Sequence, residues 1–296
     1  MELELKRGGC SARIATLGGE LVSYRDAEGM EYIWGGDPAY WSGRNPLLFP
    51  IVGGLRDGNV LAEGQICTMA RHGFARRQEF TVTETGPDWA RLELRENART
   101  LEQYPFPFRL QVLQKLEEKG FSTAITVCNT GPRTMPFCLG GHTAFRCPLA
   151  EGERFEDYAI EFEQREDCPT LVPVEGILDR TRIRPCLEGT DRLELSYHYF
   201  DEMDTLIFTG LRSKWVCLRS GTSGRGVRIH FDDFPVLALW SAPGKRAPYL
   251  CIEPWHGLPP VAGEGPQFRD KAYCILLEPG EERTMRYWVE TLEKDG

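Results

Sequence analysis

Alternation of apolar and polar side chains sets the narrowest bound on what this chain can fold into. Phe121, Thr123, Ile125 and Val127 share one face of an extended backbone, as do Met285, Tyr287, Val289 and Thr291. A period of two is the mark of half-buried strands. Turn signals punctuate these runs at Asn129-Thr130-Gly131-Pro132, Glu278-Pro279-Gly280 and Thr85-Gly86-Pro87-Asp88, in a sequence with 31 glycines and 20 prolines. The segment ENARTLEQY (96–104) predicts one short helix. Many short strands separated by turns predict an all-β sandwich or barrel. No composition shift, Ser-rich linker or internal repeat marks a boundary, so residues 1–296 read as a single, oversized domain.

Charge narrows the function classes. With 35 Lys and Arg against 44 Asp and Glu, the net charge of -9 disfavours nucleic acid or an anionic membrane as the main partner. A neutral small molecule fits better. The opening MELELKRGGCSARIATLGGE lacks the apolar run of a signal peptide, and no later run reaches the roughly 18 residues that span a bilayer, which predicts a soluble, cytoplasmic protein. Ten cysteines lie scattered from Cys10 to Cys274 without a C-x-x-C pair, and they read as reduced thiols, mostly small core residues.

The chemistry-bearing residues are few. His72 precedes Gly73 and His142 follows Gly140-Gly141, where a permissive backbone can bring a side chain to a ligand; for each, a structural histidine weighs about as much as a functional one. His198 (LSYHYF) and His230 (VRIHFDDF) sit in strand-like alternation and read as structural. Glu253, in YLCIEPWHG, follows an apolar run and precedes Pro254-Trp255; a carboxyl at the end of a buried strand beside an aromatic can act as a base near neutral pH. No zinc-type spacing of His and Cys occurs, so no metal is expected. Nucleophile elbows, phosphate loops and dinucleotide fingerprints are also missing from the sequence, leaving acid and base chemistry.

Five segments, in order and spacing, resemble the aldose 1-epimerases (galactose mutarotases), and within them the LacX-like subgroup. They are WGGDPAYWSGRNPLLFPIVGGLRDG (34–58), HGFARRQEF (72–80), GGHTAFRCPL (140–149), FDEMDTLIF (200–208) and APYLCIEPW (247–255). The resemblance covers nearly the whole chain. It implies a large antiparallel β-sandwich, the galactose mutarotase-like supersandwich, with a sugar cleft on a concave sheet face and no cofactor. It also implies Glu253 as general base, His142 as general acid, His72 as a hydrogen-bonding partner near the sugar ring oxygen and Asp204 as the holder of a sugar hydroxyl. Relatives commonly carry Gly-Arg where this chain has Gly53-Gly54. Arg56 and Arg76 are the candidates to supply that charge to the substrate; Arg71, Arg76 and Arg77 surround His72, and one of them is expected to meet a sugar hydroxyl or a phosphate. Two other readings stay open: a hexose-6-phosphate 1-epimerase, which shares the HGFAR-type segment, and a non-catalytic carbohydrate-binding or sensory protein on the same fold.

Overall fold

The computed structural model describes residues 1–293. Among them are 22 strands, two short α-helices and four 3-10 turns. Fifteen strands join in one sheet whose pairings are antiparallel throughout, and small sheets of two or three strands cover its faces and edges. The alternation seen in the sequence is what builds it. Gly120–Asn129 and Glu282–Leu292 pair side by side, placing Phe121 opposite Val289 and Ile125 opposite Met285, all four buried. Phe108–Glu117, on the other side of Gly120–Asn129, alternates buried and half-buried residues without a break.

The sheet curls until strands far apart in its order touch. A Cβ on Gly141 would lie 2.8 Å from the Tyr287 ring, so glycine there allows the strand Leu139–Gly141 to lie against Glu282–Leu292. The Tyr287 hydroxyl donates to Asn45 Oδ1 at 3.1 Å, and Thr143 Oγ1 donates to the same oxygen at 2.7 Å, tying both halves together directly behind residue 142. From the other side the sheet Glu2–Arg7, Cys10–Ala15, Glu20–Arg25 closes the sandwich, with Tyr24 packing on Phe121 at 5.4 Å between ring centroids.

The turn signals are strand connections. Asn129, fully buried, donates through Nδ2 to the carbonyls of Arg133 and Leu277 and so locks the 129–132 turn to the 278–280 turn, where Gly280 N–H donates to the Asn129 carbonyl. The predicted short helix is Ala98–Gln103, capped by Asn97. One local reading is corrected: LSYHYF is not extended but enters the helix Tyr197–Met203, because Ser196 caps it by accepting from His198 N–H, and His198 pairs one turn on with Glu202. His230 does lie in a strand, Gly226–His230, stacked on Trp288 at 3.7 Å. All ten cysteines are free thiols, eight of them buried.

Candidate active site

Register places the central pair. The strand Tyr249–His256 pairs with Thr143–Arg146 (Thr143 opposite Ile252) and with Leu139–Gly141 (Gly140 opposite Trp255). Both registers set His142 directly opposite Glu253. Directly opposed residues of antiparallel strands project to the same face within side-chain reach, and His142 Nε2 lies 3.3 Å from Glu253 Oε2. Along the Tyr249–His256 strand Leu250 and Ile252 enter the main core, whereas Tyr249, Cys251, Glu253 and Trp255 face the other way. Glu253 is therefore mid-strand and only 1 % exposed, not at a strand end. Trp255 Nε1–H donates to Glu253 Oε2 at 3.2 Å and holds the carboxyl in place.

The pair forms the floor of an open cavity of about 550 Å³. Its walls include Trp41, Trp240 and Trp255, with His72, Arg71 and Arg76 at one side and Asp204, Glu175 and Pro259 among the remaining lining. Trp41 stacks on the His142 ring at 4.8 Å and Trp240 meets it edge-on at 5.8 Å. The Gly140 approach has its own cause, since a Cβ there would lie 2.8 Å from the Trp255 ring.

His72 reaches the cavity through a left-handed backbone, φ +67°. Such a conformation costs about 1–3 kcal/mol in a residue with a Cβ, and here it is held by a two-way contact with Gly53. His72 N–H donates to the Gly53 carbonyl at 2.7 Å, and Gly53 N–H donates to His72 Nδ1 at 3.2 Å. A neutral imidazole that accepts at Nδ1 carries its proton on Nε2. His72 thus offers a donor.

Asp204 occupies the joint between the helix Tyr197–Met203 and the strand Thr205–Phe208, at φ +58°, which sets its carboxylate on the cavity rim. Arg76 and the exposed Arg71 line the cavity, and neither makes a hydrogen bond or salt bridge among the described residues; Arg76 Nε is buried without a partner. Arg56 is placed elsewhere: it is not among the lining residues, and its guanidinium donates to the Val261 carbonyl, bracing the loop that carries Pro259. Arg77 also lies outside the lining. Gly54 lines the cavity, and a Cβ built on it meets nothing within 4 Å.

Burial dominates the electrostatics. It pushes the Glu253 carboxyl well above its usual range, helped by the negative charge of Asp204 and opposed by the Trp255 N–H. Burial and the charge of Arg76 push His142 down to about 3. His72 is likewise pushed well below its ordinary value by burial, His142 and the two arginines. Burial thus favours the uncharged form of both groups. Burial, Arg77 and Arg71 depress even the Arg76 guanidinium.

Sequence reading missed Trp41 and Trp240 as walls, and Glu175, Gly176 and Pro259. Trp41 had a usable signal, since it lies within the segment 34–58, whereas Trp240 falls outside the five segments and Glu175 and Pro259 sit in turns or bends with no pattern of their own.

A family model described as aldose 1-epimerase matches residues 1–290. The chain is 40% identical over 287 residues to Protein LacX of Lactococcus lactis subsp. lactis, covering 94% of this chain and 95% of that protein. Its fold is similar to the crystal structure of a galactose mutarotase-like protein from Lactobacillus casei, with TM-score 0.90 and 29% identity over 98% of this chain and 100% of that one. A galactose mutarotase related enzyme from Lactobacillus acidophilus gives TM-score 0.93 and 27% identity over 100% of both chains. With a sandwich of that architecture and a family match along almost its whole length, the chain belongs to the aldose 1-epimerase family, in its LacX-like branch.

Proposed function

We propose that the protein is a mutarotase that interconverts the α and β anomers of an aldohexose by acid and base catalysis. The observation that carries this reading is the 3.3 Å apposition of His142 Nε2 and Glu253 Oε2 on the floor of an open, tryptophan-walled cavity. Binding alone has no use for a carboxyl and an imidazole buried side by side.

In the mechanism, Glu253 removes the proton of the C1 hydroxyl while His142 delivers one to the ring oxygen. The ring opens, rotation about C1–C2 exposes the other carbonyl face, and the two groups reverse roles on closure. The required carboxylate and imidazolium are the charged forms of these two neighbouring groups, and passing one proton from the carboxyl to the imidazole forms both with no change in net charge. Sugar hydroxyls entering the cavity favour that polar form. His72 donates near the ring oxygen, Asp204 accepts from a hydroxyl, and the tryptophan faces receive the apolar side of the ring. Each positioned proton transfer contributes roughly 10² to 10⁴ in rate, and fixing both groups against the same ring adds the benefit of orientation.

A specific observation favours a second reading of the substrate. Among the described residues Arg71 and Arg76 line the cavity without a hydrogen bond or salt bridge, and the space beyond Gly54 is open, as a phosphorylated or otherwise anionic aldose would require. Polarimetric mutarotation over a panel of free and 6-phosphorylated aldoses, measured against buffer alone, tests both. A rate above buffer on a free hexose supports the first reading, and acceleration confined to phosphorylated sugars supports the second. A protein that binds a sugar yet never exceeds the buffer rate is a sugar-binding protein and not a mutarotase.

A further inference from the structure

Beneath the acid–base pair lies a third group that the sugar chemistry does not use. Cys251 is two residues before Glu253 on the same strand and on the same face, and it is fully buried. One ligand atom each from His142, Cys251 and Glu253 lie within 4.8 Å of one another. We propose that these three residues form a binding site for a soft divalent metal ion of the zinc and cadmium class, which enters in competition with the sugar.

Geometry supports it first. Zinc takes thiolate at about 2.3 Å and imidazole or carboxylate at about 2.0–2.2 Å, in tetrahedral arrangement, so its ligand atoms stand roughly 3.3–3.8 Å apart. The His142–Glu253 separation of 3.3 Å already has that size. Three protein ligands, of which His142 and Glu253 also line the cavity, match the donor count of open zinc sites, and one of the three is a thiol, which selects softer ions over magnesium or calcium. Trp255 N–H holds the Glu253 carboxyl and Trp41 fixes the His142 ring plane, so two of the ligands are already oriented.

Charge balance supports it second. Metal binding requires the thiolate and the carboxylate, so the ion displaces one proton from Cys251 and one from Glu253, both released to solvent. A doubly charged cation replacing two protons leaves the buried site with unchanged net charge.

The test is a titration of the reduced protein with cadmium chloride in chelator-free buffer, read by the ultraviolet sulfur-to-cadmium charge-transfer band. The expected result is a band saturating at one ion per chain, displaced by zinc chloride and suppressed by a bound sugar. It should vanish in Cys251→Ala and in Cys251→Ser, each checked for native circular dichroism, while His142→Asn, which keeps the sulfur, should weaken binding by more than the roughly 10- to 100-fold typical of losing an outer-shell partner. No band, or a band of undiminished size in both Cys251 variants, overturns the proposal, the latter by assigning the ion to other thiols. The readout is independent of turnover: a protein that binds cadmium in this way without mutarotating a sugar upholds the site while overturning the mutarotase reading.

Discussion

Glu253 and His142 are held by the same burial in opposite directions, and the consequence for stability has a definite sign. The folded protein keeps the Glu253 proton above its usual 4.5, where the unfolded chain releases it, so this group's cost to stability grows as pH rises past that value. Glu253→Gln keeps the shape and removes the titration. The variant should melt above the parent near pH 8, with the gap closing toward pH 4; a gap that does not change with pH would contradict the raised carboxyl. Arg71 and Arg76 act differently, because an arginine that only holds a substituent binds ground and transition states alike. Arg71→Ala and Arg76→Ala should raise KM with little effect on kcat, checked by initial-rate kinetics on the best substrate of the panel. His72, His142 and Glu253 were legible from motif residues. Arg56 was not, since a one-residue shift in where a loop turns decides whether a guanidinium meets a ligand or, as here, the Val261 carbonyl.

Strands and turns carry the site through contacts of single residues. Asn129 satisfies two backbone carbonyls from the protein interior, so Asn129→Ala should cost about 1–3 kcal/mol for the groups it orphans, measured by denaturant unfolding, without altering the catalytic geometry. A change near zero would mean that the coupled turns do not hold the sheet. The strand Glu282–Leu292 and the middle of Gly120–Asn129 could be read from alternation because buried and less buried residues alternate there. The strand Tyr249–His256 gives no such signal: every residue but the last is buried, since layers cover both of its faces. Periodicity is silent for a strand of that kind, and the position of Glu253 within it emerges only from register. The LSYHYF segment was misread for a related reason, as a single capping serine outweighed six residues of apparent alternation.

At the scale of the whole molecule, His142 and Glu253 from one sheet, His72 from a turn and Asp204 from a helix–strand joint meet in a single cavity from segments far apart in sequence. Strand content was legible in composition and pattern, whereas the curl depends on close approaches such as Gly141 to Tyr287 that no periodicity encodes. The mechanism uses only this chain's own groups, so exhaustive treatment with EDTA should leave the mutarotation rate unchanged, and a rate restored only by added zinc would contradict it. The most direct test of the central claim is the mutarotation rate of purified Glu253→Gln, followed by polarimetry and corrected for buffer. The amide keeps shape and hydrogen bonding but takes no proton, so kcat should fall by about 10² or more with sugar affinity little changed; a variant that equilibrates anomers as fast as the parent would show that Glu253 is not the base.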